Sequence, residues 1–391
     1  MRGFDMKKYL TVFLILTYIM IMSAGCSYDG GGTLPGTPVN PQTDGQAVRQ
    51  SEGSSDAPAE APPDEPTGTT SAETVMNGAV AETPGNIPDP ANAETKPRSE
   101  DNTPSVYFTT DISPEGLMAV YEALGAAPAG NIAIKVTTGE PPNSNYLRDE
   151  LIGDFARFLD GTIVECNTAY GGSRASDAMH IQVAKDHGFY DMTSRGFDLQ
   201  DAGGKSVSLP VAGGEVLTEN FVGATFHDYD YYVVLSHFKG HGMAGYGGAI
   251  KNISIGLGSS EGKNWIHSGG TSRTSMRGGD QDAFLRSMAE AGLSVVDALD
   301  GNILYINVMN RLSVDCDCNG RPAEPDMHDI GILASFDPVA LDRACVDLVE
   351  AAPDGASLMK RINSRNGTLT IDHGAKIGLG SLEYELVRID D

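Results

Sequence analysis

Between residues 131 and 351, short apolar runs alternate with segments whose apolar residues recur at helical spacing, and this alternation limits the chain to one class of fold. Segments 131–137, 162–166, 230–236, 303–308 and 330–334 read as strands. Segments 146–159 (Leu147, Leu151, Phe155 and Phe158 on one stripe), 176–187 and 280–299 read as helices. A further helix opens at Asp337-Pro338, a side-chain cap followed by proline in the first helical position. Repetition of strand and helix predicts an α/β domain: a mainly parallel sheet flanked by helices, with 196–223 as a small β-rich insertion. In an open parallel sheet, ligands bind where loops leave the carboxyl ends of strands. Three loops qualify: 167–174, 237–267 and 310–320.

Fold-forming content stops abruptly on the N-terminal side. Residues 27–104 hold twelve prolines, thirteen acids against three bases (Arg49, Lys96, Arg98), and one aromatic, Tyr28. Such a segment repels itself and has little apolar surface to bury, which predicts an extended, disordered tether. Ahead of it, Lys7 and Lys8 precede an apolar run that ends in Ser23-Ala24-Gly25-Cys26. A basic start, a short apolar stretch and small residues at a cleavage point describe a secretory signal. The run is also shorter than the ~20 residues a helix needs to cross a bilayer. A cysteine directly after Ala-Gly points to lipoprotein processing, with Cys26 as a diacylated, palmitate-bearing N-terminus, because two acyl chains hold a protein on a membrane where one barely does. The expected organisation is a signal peptide over 1–25, lipidated Cys26 and tether over 26–104, and the α/β domain over 105–391. The domain is expected on the cell membrane, lipid-anchored and facing away from the cytoplasm. A net charge of −26 argues against nucleic acid as a partner.

The longest chemical signal is Ser236-His-Phe-Lys-Gly-His241, continuing through Gly247-Gly-Ala-Ile-Lys-Asn252 to Gly262-Lys263 and His267. Eight glycines between positions 240 and 262 are expected to leave backbone amides bare for an anion. From 236 to 277 the basic residues Lys239, Lys251, Lys263, Arg273 and Arg277 face a single acid, Glu261. In so acidic a chain, that basic island predicts an anionic ligand, set against the plainer reading of a solvated charged face. Neither nucleotide loop is complete: Leu257 stands where a phosphate loop needs its first glycine, and Glu261 where a dinucleotide loop needs its third.

His237 and His241 are four apart, but Phe238 stands where a zinc protease carries glutamate. His180 and His187 lie two turns apart on one helix and read equally well as a polar face or as satisfied histidines. Asp315-Cys-Asp-Cys318 is the densest donor motif. Cysteines two apart form a disulfide only with strain, so metal ligation and a pair of partly exposed thiols stand as alternatives. Cys345 sits with Leu341 and Leu348 on a helix face and reads as core; the role of Cys166 is open.

These blocks resemble the family called domain of unknown function 362. Asn167-Thr-Ala-Tyr-Gly-Gly-Ser-Arg174, His180 and His187-Gly-Phe189 match one block, and the Ser236–His267 signal matches the central one. Asp329-Ile-Gly-Ile-Leu-Ala-Ser with Asp337-Pro-Val-Ala-Leu-Asp342 matches the closing one, in order, over about 133–351. The resemblance implies an α/β domain associated with iron–sulfur proteins, many members carrying a ferredoxin-like cysteine module. This chain has no Cys-x-x-Cys-x-x-Cys run, and Leu257, Ser259 and Ser260 occupy a loop where relatives carry a cysteine. The combined expectation is an extracytoplasmic domain in a binding or redox-accessory role. Arg174, Lys239, Lys251, Asn252, Lys263 and His267 would surround an anionic small molecule. His237, His241, Cys316 and Cys318 would be donors to a metal or iron–sulfur cofactor. A metal-dependent enzyme using a histidine as acid or base, or a surface interaction protein without chemistry, fits the same sequence.

Overall fold

The computed structural model describes residues 103–390; the leader, Cys26 and the tether before residue 103 lie outside the described residues. Along the chain, β1 (Ser105–Thr109) is followed by α1 (Pro114–Leu124), β2 (Ile132–Lys135), α2 (Asp149–Leu159), β3 (Thr162–Glu165), α3 (Asp177–Asp186) and β4 (Phe197–Leu199). Strands β5 (Ser206–Pro210) and β6 (Glu219–Gly223) precede β7 (Tyr231–His237). The short strands β8 (Lys239–His241) and β9 (Gly245–Gly247) lead into α4 (Ala249–Ser254), α5 (Ser260–His267) and the long α6 (Gln281–Ala298). The chain closes with β10 (Ile303–Met309), β11 (Gly331–Ser335), α7 (Pro338–Ala351), α8 (Ala356–Ser364), α9 (Leu369–Lys376) and β12 (Glu385–Arg388).

Eight strands form one sheet in the order β12-β1-β11-β10-β7-β2-β3-β4. All neighbours are parallel except β11, which runs against both β1 and β10. Helices cover both faces. One apolar layer joins Leu117 and Val120 of α1 and Ile152 and Phe155 of α2 to the sheet; the other joins Ile250, Val295 and Leu341 from α4, α6 and α7. This is why β10 reads as an unbroken apolar run: all seven of its residues are buried, as expected of a strand covered on both sides.

Two local expectations change. Helix α2 begins at Asp149, after the buried Leu147, and its inward stripe is Ile152, Phe155, Ala156 and Leu159. Phe158 instead stands 60% exposed, its ring edge-on to Tyr121. The expected insertion is only partly separate. β5 and β6 form their own antiparallel hairpin, whereas β4 adds to the edge of the main sheet beside β3. Because β2, β3, β7 and β10 are parallel, the loops that follow them gather at one edge of the sheet, and the site lies there.

Candidate functional site

The glycine-rich segment after β7 is shaped by close approach. A Cβ on Gly240 would lie 2.2 Å from the carbonyl oxygen of Val314, and one on Gly248 would lie 2.3 Å from an Asp342 carboxylate oxygen. Glycine therefore lets β8 press against the loop that carries Cys316 and Cys318, and lets α4 begin on top of α7. Four of the eight glycine amides expected to be bare are in use. Gly240 N donates to Ser313 O, Gly256 N to Lys251 O, Gly258 N to Ser254 O and Gly262 N to Ser259 Oγ. The first amides of α4, Ala249 N and Ile250 N, donate to the buried Asp342 carboxylate at 2.7 and 3.1 Å. These amides hold the loop together and are not open to an anion.

The basic side chains Arg174, Lys239, Lys251 and Lys263 line a small, partly open pocket at the carboxyl edge of β2, β3, β7 and β10. On one wall Arg174 is buried between two carboxylates. Its Nε lies 3.2 Å from Glu140 Oε2 and its Nη1 3.3 Å from Glu165 Oε1, while Nη2 donates to Tyr170 Oη at 2.9 Å. Glu165 also accepts from Thr138 N and Thr138 Oγ1 and sits 3.2 Å from His180 Nε2. His180 is thus a satisfied core histidine, its other nitrogen 3.3 Å from Asn167 Oδ1. Behind this wall Lys135, wholly buried on β2, donates to Asn252 Oδ1 at 3.0 Å. Burial, only partly offset by the charge of Glu165, lowers its pKa to about 8.

The opposite wall comes from β7, β8 and the loop after β10. His237 directs Nδ1 to Asp317 at 3.0 Å and Nε2 to Asn310 O at 2.6 Å, so both ring nitrogens face oxygen acceptors. Lys239 pairs with the same carboxylate at 2.9 Å. His241 Nδ1 accepts from Met243 N and Ala244 N at 3.1 and 2.9 Å. Burial, reinforced by the charge of Lys251, lowers its pKa, so the ring is neutral and its proton sits on Nε2. That nitrogen lies 3.7 Å from Cys318 Sγ, and Cys318 N donates to Cys316 Sγ at 3.4 Å. The hydrogen bond shared with Cys318, helped by Lys251, Lys239 and His241, holds the Cys316 thiol well below its ordinary value, while Cys318 is pushed up.

Of the six residues expected around an anion, five line this pocket: Arg174, Lys239, Lys251, Asn252 and Lys263. His267 does not. Its ring stacks on Phe284 with centroids 4.8 Å apart, and its Nδ1 lies 2.7 Å from Lys263 O. Burial lowers its pKa to about 3, so the ring is neutral. Of the five, Asn252 spends its amide on Leu235 O, Ser236 Oγ and Lys135, and Lys263 Nζ donates to Gly258 O at 2.5 Å. The side-chain ammonium of Lys251, a partly exposed residue, has neither hydrogen bond nor ion pair among the described residues.

The profile of the family described as Domain of unknown function (DUF362) matches residues 132–347, more than half of the chain. The chain belongs to this family. No curated protein matches the sequence. Two solved structures are similar in part. One is the lactate racemase apoprotein from Thermoanaerobacterium thermosaccharolyticum, 13% identical, with a TM-score of 0.35 over 52% of this chain and 50% of that one. The other is a protein from Thermotoga maritima, 14% identical, with a TM-score of 0.32 over 61% of this chain and 58% of that one. The chain spans less than two thirds of either structure, and neither likeness says what this chain does.

Within the DUF362 domain, His241, Cys316 and Cys318 bring one donor atom each to within 4.8 Å of one another and could hold a metal ion. Two sulfurs favour a thiophilic one. His237, expected with them, stays outside the group because Asp317 and Asn310 engage its ring. A four-thiolate iron–sulfur cluster finds only these two sulfurs at the site among the described residues. Cys166 is buried under Leu257 O at 3.3 Å, and Cys345 is core beside Asn307. The sequence reading missed Lys135, Glu140 and Glu165 as parts of the site, and had Asp317 only as a member of the Asp315-Cys-Asp-Cys318 donor motif, not as the partner of His237 and Lys239. The available signal was a charged residue closing an apolar strand, as Lys135 closes β2 and Glu165 closes β3.

Proposed function

We propose that this DUF362 chain is a lipid-anchored domain on the outer side of the cytoplasmic membrane that binds a small anionic molecule in the pocket after β2, β3, β7 and β10. The observation that carries the reading is Lys251, a lysine in a cation-rich pocket with no carboxylate of its own. Lys263, held by a carbonyl rather than an acid, is the second contact. A melting-shift screen of phosphates, sulfates and carboxylates tests it. At least one of these anions should stabilise the wild type, and Lys251→Ala should weaken binding by about 1–3 kcal/mol, the usual loss of a charged hydrogen bond. No stabilisation by any of them, or an unchanged response of the variant, overturns the reading. Anchoring rests on the Ala24-Gly25-Cys26 junction; Cys26→Ser should release the protein from membranes, and a variant that stays acylated and membrane-bound excludes Cys26.

A second reading, a metal-dependent site, is favoured by the His241, Cys316 and Cys318 group. Metal binding there requires the sulfurs to lose their protons and the His241 ring to free Nε2 by shifting its proton to Nδ1. Metal analysis of anaerobically purified protein should find about one ion per chain, lost in both Cys316→Ser and Cys318→Ser; metal-free wild type overturns it.

A further inference from the structure

The sulfurs of Cys316 and Cys318 both line the anion pocket, and each has an N–H directed at it. Cys318 N donates to Cys316 Sγ at 3.4 Å, and His241 Nε2 faces Cys318 Sγ at 3.7 Å. The His241 orientation is fixed from behind, because Met243 N and Ala244 N occupy Nδ1. A metal-binding histidine ordinarily donates its other ring N–H to an acceptor; here the other nitrogen accepts, which suits a ring whose Nε2–H is a donor to sulfur. Lys251 stands free at the same pocket, and the sulfurs lie within 4.8 Å of one another.

We propose that Cys316 and Cys318 form a dithiol that reduces small anionic disulfides. This rests on the anion-pocket reading: Lys251 and Lys263 would hold the substrate's carboxylate or other anionic group beside the sulfurs. Cys316 Sγ attacks one sulfur of R–S–S–R. A Cys316–S–S–R bond forms, the substrate S–S bond breaks, and RS⁻ leaves with the electron pair. Cys318 Sγ then attacks the Cys316 sulfur, closing a Cys316–Cys318 disulfide and expelling the second RS⁻. The two thiol protons end on the two leaving thiolates, so the dithiol loses two electrons and the substrate gains them as two RSH. Cysteines two apart close a strained ring, which makes the oxidised pair the more easily reduced partner; closure is therefore driven by excess substrate disulfide, and net turnover needs a further thiol in excess to return the pair to the dithiol.

The experiment uses the mature chain after chelator treatment, with metal content measured before and after. Three disulfides of similar size are compared: dithiodiglycolate (dianionic), hydroxyethyl disulfide (neutral) and cystamine (cationic). Wild type should lose two hydrogens in intact mass, and should react roughly tenfold or more faster with the dianion than with the neutral probe. Cys318→Ser should stop at a stable adduct on Cys316, and Cys316→Ser should form no adduct. Lys251→Ala should lose most of the rate advantage of the dianion over the neutral probe. Several results overturn the proposal: no loss of two hydrogens, equal rates with all three probes, an adduct trapped on Cys318 instead, or a stoichiometric ion that blocks the sulfurs until removed. The anion reading is judged separately, by the melting screen with anions that contain no disulfide.

Discussion

Arg174 and Lys251 are cations lining one pocket, yet they sit in opposite electrostatic circumstances. Arg174 is buried between Glu140 and Glu165, with its third nitrogen on Tyr170. Lys251 has no partner among the described residues, and its charge falls on the sulfurs and on His241. The difference teaches that a basic cluster in a sequence overstates what is available to a ligand. A cation already neutralised inside the fold is structure, and only the uncompensated one is capacity.

The largest effect should come from breaking the compensated wall. Arg174→Met leaves Glu140 and Glu165 buried without their shared guanidinium, and removing one partner of a buried ion pair typically costs about 3–5 kcal/mol. Chemical denaturation should show a loss of that order. A loss below about 1 kcal/mol would mean that Lys135 alone compensates Glu165, and the contrast between the walls would fail.

A pH effect sharpens the comparison from behind the same wall. Burial brings Lys135 down to about 8, while an unfolded lysine titrates near ~10.4. Between those values the unfolded chain holds a proton that the folded chain has lost. Stability from this residue therefore rises as pH increases through that window, by up to about 3 kcal/mol at ~1.4 kcal/mol per pKa unit. Urea unfolding across the window should show the rise in wild type and its loss in Lys135→Met. Parallel curves for the two proteins would show that Glu165 keeps Lys135 charged, and that this wall is an ion-pair network throughout.

Much of the fold was legible because β7 and β10 are buried on both sides and so announce themselves as apolar runs, and because the Asp337-Pro338 cap is a local signal. Strands β1 and β12 were not read: β1 is only partly buried, and three of the four residues of the edge strand β12 are exposed, so neither carries the signal of a strand covered on both sides. The pocket's location followed from the parallel topology, but its charge balance did not. Asp317, 80 positions from His237, neutralises Lys239, and Glu140, 34 positions from Arg174, shares that guanidinium. Sequence spacing holds no trace of such pairings. Nor did it show that Asp342 of α7, rather than a ligand, occupies the first amides of α4.

The smallest effect on folding, and the most discriminating, separates two lysines that the sequence treated alike. Lys239→Ala removes one of the two cationic-side partners of the buried Asp317 and leaves His237 alone on it. A buried charged group that loses a hydrogen bond costs about 1–3 kcal/mol, so this variant should unfold measurably earlier. Lys251→Ala removes a partly exposed side chain that no acid depends on, and such changes usually fall within about 0.5 kcal/mol. If the compensated and uncompensated cations differ as the geometry says, the two variants should separate twice. Lys239→Ala should lose stability, and Lys251→Ala should retain it while responding least to anions in the melting-shift screen. Equal destabilisation by both would mean that Lys251 has a partner in solution, namely the sulfur of Cys316, and that its charge serves the thiol pair before it serves any anion.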